Sequence, residues 1–175
     1  DLCAWLASVE ELAGALPAHR LDAPTSGLVL CARTPERRAR LGEWLADREV
    51  HKIYLALVIG RARKKGTIRR PLKDPRRKQT LEAETRYRLV EALGGFSLLR
   101  VEPRTGRKHQ IRRHLHGLGL PVVGDERWGP RRRVRVPAWP GRLWLHAWRV
   151  ELPDGASFEA PLPPELEANL AALRG

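Results

Sequence analysis

The sequence predicts an α+β fold, with a mixed, mostly antiparallel central sheet flanked by a few packed helices. Three observations lead there. Stretches that alternate with a period of two are interleaved with stretches carrying an apolar residue every three or four positions. Gly94-Gly95 and Pro153-Asp154-Gly155 each separate two strand-like runs, the mark of antiparallel hairpins. The chain has 175 residues and shows no internal repeat or linker, so residues 1–175 read as one domain, long enough to bury about two-thirds of its unfolded surface.

Residues 1–16 read as a short helix, with Leu2, Trp5, Leu6, Leu12 and Leu16 near helical spacing, and Pro17 stops it. HRLDAPTSG at 19–27 is irregular because Pro24 and Gly27 interrupt any period, and GLVLCA after it reads as a buried strand. A second helix follows, capped by Thr34, opened by Pro35 and Glu36, and given an apolar face by Leu41, Trp44 and Leu45. VHKIYLALVIG at 50–60 is a strand. Ile53, Leu55, Leu57 and Ile59 take one face, and Lys52, Tyr54, Ala56 and Val58 take the other. Residues 61–78 carry ten basic residues, one acid and no apolar period, and read as a loop or arm. Strands are expected at 80–90 and 96–102. A helix is expected from Gly106 to Leu118, with Thr105 as its cap and Ile111, Leu115 and Leu118 as its stripe. Residues 124–142 read as a loop with a basic cluster, Arg131, Arg132, Arg133 and Arg135. Strands at 143–152 and 156–160 follow, then an amphipathic helix from Pro164 carrying Leu166, Leu170 and Leu173.

The charge balance narrows the function. Lys and Arg number 33 against 20 Asp and Glu, a formal charge of +13, which suits a polyanionic partner such as nucleic acid. Only six of the basic residues are Lys, so biased codon usage also contributes to the composition. No apolar run nears the roughly 20 residues needed to cross a bilayer, so no membrane association is expected. Cys3 and Cys31 form no CxxC pair, and a reducing, cytoplasmic setting is expected. The P-loop, GxGxxG, GxSxG and zinc-deaminase signatures are absent, and nothing calls for a cofactor.

Three places carry candidate chemistry. Asp22 is the only acid between Glu11 and Glu36 and stands beside His19 and Arg20. Cations nearby favour its ionised form, so it reads either as a nucleophile or base, or as a turn or salt-bridge residue. In GRKHQIRRHLH at 106–116, helical spacing would put Lys108, Arg112 and His116 on one face, with Arg113 turned away by about 100°. That face is either a phosphate-holding surface or a solvated basic helix. His109, His114 and His116 lack HExxH spacing and any neighbouring carboxylate or cysteine, so no metal site is expected. Tyr54 shares a strand face with Lys52 and is either core or a stacking platform beside a phosphate-seeking cation. Trp44, Trp144 and Trp148 read as core or groove wall, while Trp128 and Trp139 lie in or beside the basic loop.

Four segments in order resemble RNA pseudouridine synthases of the large ribosomal subunit synthase A type. HRLDAPTSGLVLCART resembles the catalytic segment, HRLDxxTSGxxxxAKT, and VHKIYLALVIG resembles KxYxAxVxG. RTGRKHQIRRHLHGLGLPVVGD matches TGRxHQIRxHLxxxGxPxxGD, with Lys108 in place of the usual Thr or Ser. RLWLHAW resembles RLxLHAxxL, and FEAPLP fits the tail after it. The resemblance implies the pseudouridine synthase fold and isomerisation of uridine in structured RNA, transfer or ribosomal, without cofactor or metal. It implies Asp22 as the catalytic aspartate, Tyr54 as the aromatic on the target uracil, and Arg112 as the partner of Asp22. Leu145 would pack on the base and Arg20 would hold flipped-out RNA. Lys52, Arg107, Lys108 and His109 complete the expected substrate contacts.

The basic segments 61–78, 104–116 and 127–135 hold ten, five and five basic residues, 20 of the 33, and are expected to grip phosphates. Relatives begin with a strand and a phrase like NKPxGxxxH that completes the sheet near the site. The chain starts at Asp1 and contains no Met, so it is expected to be truncated at its N-terminus and weakly active or unstable alone. No separate RNA-binding domain is visible, and a monomer is expected. The rival reading is a non-catalytic RNA-binding protein on the same fold. A nuclease would want clustered acids for metal ions, which the sequence does not offer.

Overall fold

In the computed structural model, which describes residues 2–74, 78–130, 132 and 134–175, the chain is built around a seven-stranded sheet. Of the expected basic residues, Arg76, Arg77, Arg131 and Arg133 lie outside the described residues. The elements are α1 (Leu2–Ser8), β1 (Leu16–Pro17), β2 (Ser26–Gly27), β3 (Cys31–Ala32), α2 (Pro35–Ala46), β4 (His51–Ile59), β5 (Lys65–Arg69), β6 (Leu72–Lys73) and β7 (Thr80–Leu81). They continue with β8 (Glu84–Leu93), β9 (Phe96–Pro103), α3 (Gln110–Gly117), β10 (Leu145–Glu151), β11 (Ser157–Glu159) and α4 (Pro164–Arg174).

The main sheet runs β11-β10-β4-β9-β8-β5 with every neighbour antiparallel. The short β2 joins β10 in parallel, His146 opposite Ser26 and Ala147 opposite Gly27. Since β4 occupies the other side of β10, β2 and β11 lie end to end along one edge. β4 is central and buried on both faces, as its near-continuous apolar run requires. Ala56 and Val58 join Leu99, Val101, Ile111 and Leu115 on one face, under α3. Leu57 joins Leu98, Val123, Trp144, Leu166 and Leu170 on the other, under α4.

Several expectations are corrected. The first helix stops at Ser8, because Val9 is extended (φ −102°, ψ 115°), and only a 3-10 turn, Glu10–Leu12, follows before Gly14 reverses the chain at φ +80°. GLVLCA is not one strand: its start pairs with β10 and its end, β3, pairs with β1, so the middle leaves both ladders. The segment 61–78 is no plain loop. β5 is an edge strand on β8, with Ile68 buried and Lys65, Thr67 and Arg69 facing out, and β6 pairs with β7. One apolar residue among many charges hides its period of two, and charged edges guard against unwanted pairing. The expected strand at 80–90 divides into β7 and β8. The helix expected at 106–118 begins only at Gln110, preceded by His109 in the left-handed conformation (φ 52°, ψ 31°). Lys108 therefore shares no helical face with Arg112 and His116. α2 matches its signals, Thr34 accepting from Arg37 N, but it buries no residue fully; Trp44 is partly covered, with the Arg40 guanidinium 4.9 Å from its ring centre.

Candidate active site

Two chain-distant devices fix the segment that carries Asp22. Gly27 (φ +111°) passes so close to β10 that a Cβ would run into the Ala147 carbonyl, so only glycine permits the pairing. Ser26 Oγ lies 2.9 Å from His146 Nδ1, whose Nε2 donates to Ala160 O at 3.1 Å, so the hydroxyl donates to Nδ1. Burial lowers the pKa of His146, which keeps the ring neutral and suits it to that role. Between these anchors and β1, Thr25 N donates to Asp22 O at 2.8 Å and closes a tight turn, while Arg142 donates to Pro24 O at 3.1 Å.

The opposite wall is α3. Gln110 is buried and fully satisfied: its amide donates to Glu84 O and Thr85 Oγ1, and its Oε1 accepts from Thr105 Oγ1 and Arg107 N. Thr105 is thus a buttress of the helix start rather than its cap. His114, also buried, accepts from Thr85 and donates to Arg70 O. A saturated polar network of this kind sets α3 in one position.

That position presents Arg112 to two carboxylates. Nε and Nη2 donate to Asp125 Oδ2 and Oδ1 at 2.7 Å each, a fork matched to a carboxylate. Asp125 also accepts from the backbone N–H of Arg127 at 3.0 Å and of Trp128 at 2.8 Å. Burial alone would raise the Asp125 pKa, yet the Arg112 fork and these amides hold it below the usual range. The same hydrogen bonds push Arg112 higher still. The remaining Nη1 lies 3.5 Å from Asp22 Oδ2. His109 Nε2 lies 3.8 Å from Asp22 Oδ1, while its Nδ1 accepts from the Trp128 indole at 3.4 Å. Burial lowers the His109 pKa against the pull of Asp22, and Arg112, Arg127 and Lys108 lower it further.

Asp22, Arg20, Arg107, Lys108, His109 and Arg112 all line one cleft of about 1480 Å³. Arg127, Arg132, Arg135, Arg142 and the half-exposed Trp139 extend its wall. Three expected site residues sit elsewhere. Tyr54 is partly buried below the cleft against the core cluster, near enough for the Asp22 charge, added to burial, to push its hydroxyl up to about 12. Leu145 is in the same cluster. Lys52 borders a separate small recess, and burial lowers its pKa. Trp128 stacks in the wall, with Arg127 and Arg113 at 5.4 and 5.7 Å from its ring centre. Among the described residues no cluster of His, Cys, Asp and Glu could hold a metal ion, and no helix is long and apolar enough to cross a membrane.

Sequence reasoning passed over Asp125, the main partner of Arg112. Its signal was the Gly124-Asp125 pair: Gly124 (φ +75°) lies where a Cβ would strike the Arg142 carbonyl, so that backbone must hold the aspartate in place.

Comparison with known proteins converges on one family. A family model described as RNA pseudouridylate synthase matches residues 7–117. An uncharacterized RNA pseudouridine synthase of Chloroflexus aurantiacus is 42% identical over 169 residues, covering 89% of this chain and 52% of that protein. Ribosomal large subunit pseudouridine synthase D of Nitrosomonas europaea is 37% identical over 174 residues, covering 89% and 50%. The chain thus spans about half the length of these relatives. The solved structure of human RNA pseudouridylate synthase domain containing 4 shares the fold, with a TM-score of 0.81 at 23% identity over 91% of this chain and 76% of that one. By the match to more than half of its length, the chain belongs to the RNA pseudouridylate synthase family.

Proposed function

We propose that this chain is the catalytic domain of an enzyme that isomerises uridine in structured RNA to pseudouridine. One observation carries the proposal: Asp22 stands in a basic cleft, 3.5 Å from an arginine whose other donors are committed to a second, buried carboxylate. A cation fixed at that distance stands beside the carboxylate that the chemistry would use.

In the reaction the N1–C1′ bond of uridine breaks, the uracil turns, C5 bonds to C1′, the C5 proton leaves to solvent and N1 takes up a proton. Asp22 serves it either by attacking C1′ or by taking a proton from the ribose. Neither route calls on a cofactor or metal, since every proton and bond belongs to substrate, solvent or side chain. To expose C1′ the target base leaves its stack, at a cost of a few kcal/mol. Arg20, which lines the cleft with Asp22, helps hold the flipped-out RNA, and Arg107, Lys108 and His109 hold flanking backbone. Tyr54, packed beneath the cleft with Leu145 in the same cluster, is the ring nearest Asp22 for the uracil to meet, and the raised Tyr54 pKa keeps its hydroxyl a proton donor. Because the Nitrosomonas relative is named for the large ribosomal subunit, ribosomal RNA is the first substrate to try, with transfer RNA the second.

The experiment supplies ribosomal and transfer RNA carrying tritium at uridine C5. Wild-type protein should release the label and Asp22→Asn should not. Equal release by both would remove Asp22 from the chemistry, and tight RNA binding with no release by wild type would favour a non-catalytic RNA-binding protein.

A further inference from the structure

A second, smaller recess of about 70 Å³ lies across the Thr105–Lys108 turn from the cleft, and Gly106 borders both. Three elements converge on it: the end of α2 (Leu45, Arg48), the start of β4 (Val50, His51, Lys52) and the end of β9 with its turn (Glu102 to Gly106). Its volume of about 70 Å³ leaves room for a phosphate group.

The charges around it are arranged for an anion. Lys52 is partly buried, makes no ion pair among the described residues, and has burial as the sole cause of its lowered pKa. An ammonium withdrawn from water with no counter-charge is costly unless an anion arrives. Lys52 is also close enough to His19 to lower that pKa, so it stands between the recess and the catalytic segment. Arg104, which lines the recess, has its Nη1 3.0 Å from His51 Nδ1, and that contact orients the guanidinium. The lining acid, Glu102, is taken up by Arg100 at 3.0 Å.

Arg48 adds an independent pointer. α2 ends with Asp47 N donating to Glu43 O in its last helical bond and Glu49 N reaching back to Trp44 O, both at 2.9 Å, the 6→1 contact of a Schellman-type end, with Arg48 left-handed at φ 63° between them. Glycine is the residue this position favours, since a Cβ there meets backbone crowding. Helix geometry does not select an arginine there, and its side chain lines the recess.

We propose that this recess is a second phosphate site, which holds a backbone phosphodiester of the RNA strand after it leaves the cleft over the Thr105–Lys108 turn. The proposal rests on the reading of the cleft as an RNA site. Lys52 supplies the buried charge, and Arg48 and Arg104 close on the phosphate oxygens from two sides.

Arg48→Gly separates the two demands on this position. Binding of a fluorescein-labelled, uridine-containing single-stranded RNA is followed by anisotropy across a salt series, with heat denaturation of the same proteins alongside. Arg48→Gly should melt at or above the wild-type temperature yet bind more weakly. The slope of log K against log salt should shrink by about 0.7 for each phosphate that is no longer neutralised. Arg48→Gly alone should lose part of the one phosphate's share and Arg48→Gly/Arg104→Ala the whole of it, about 0.7, while Arg48→Lys should keep most of the slope. Arg38→Ala, which removes one exposed charge from α2 outside the recess, should leave the slope unchanged. Wild-type affinity and slope in the double variant would overturn the site. So would an equal loss in Arg38→Ala, which would reduce the effect to overall charge, or early melting of Arg48→Gly, which would give Arg48 a structural role. Binding is read without turnover, so failure of tritium release would leave this test intact.

Discussion

Arg112 and Asp125 form a two-point pair, both contacts at 2.7 Å, beneath the cleft, and the Asp125 side chain is wholly buried. Asp22 receives only the third nitrogen, at 3.5 Å. The arginine is therefore positioned by one carboxylate and offered to another, and the two acids should fail in different ways.

Asp125→Asn leaves a buried guanidinium without its counter-charge. Breaking such a pair costs about 3 kcal/mol. Asp22→Asn loosens only the longer, partly solvated contact and should shift stability by no more than about 0.5 kcal/mol while abolishing turnover. Urea denaturation of both variants checks this; equal destabilisation would refute the division of roles.

Stability should fall with acid in two steps. Burial lowers the pKa of both His114 and His146. The unfolded chain therefore binds protons first, and stability is lost as pH drops below the ordinary histidine value of roughly 6.5. Asp125, also lowered, contributes fully above the ordinary carboxylate value and is lost only as pH falls through its own depressed one. A pH series of denaturation midpoints should show the first step shrink in His114→Gln.

Gly27→Ala should be severe for its size. It adds one methyl where φ is +111° and the Ala147 carbonyl blocks the space. Destabilisation beyond about 1 kcal/mol and loss of tritium release are expected, because β2 would part from β10 and take Asp22 with it. Gly94→Ala, at a hairpin turn with open space around the Cβ, is the control and should retain turnover.

Tyr54 should not shape the alkaline side of a pH–rate profile near 10, the ordinary phenol value, because its hydroxyl is pushed up to about 12. Tyr54→Phe should keep RNA affinity and lower kcat. An unchanged kcat would leave only the ring in the reaction.

Much of this was readable from residue patterns. β4, β9, α2 and α4 match their period, caps and turns, because each draws its stability from an apolar face written locally. The misreadings share a cause. β5 hides one inward apolar residue, Ile68, among charges, and β2 and β3 are pairs of residues that exist only through distant partners. α3 starts late because His109 turns left-handed, which no spacing rule reports. The site divides the same way. Asp22, Arg20 and Arg112 could be singled out by charge and motif. Asp125 closes the same motif but was passed over, since its role depends on an arginine 13 positions earlier that turns its fork down into the wall.

The contacts that hold the Asp22 segment span long stretches of chain: Ser26 to His146 is 120 positions, Pro24 to Arg142 is 118 and Asp22 to Arg112 is 90. Closing loops of that size is slow compared with forming hairpins or helices. During synthesis the aspartate emerges early but has nothing to rest against until the Leu145–Glu151 strand has left the ribosome. Nascent protein should therefore gain hairpin protection well before it gains the ability to act on RNA, and shortening the chain upstream of that strand should remove the second without the first.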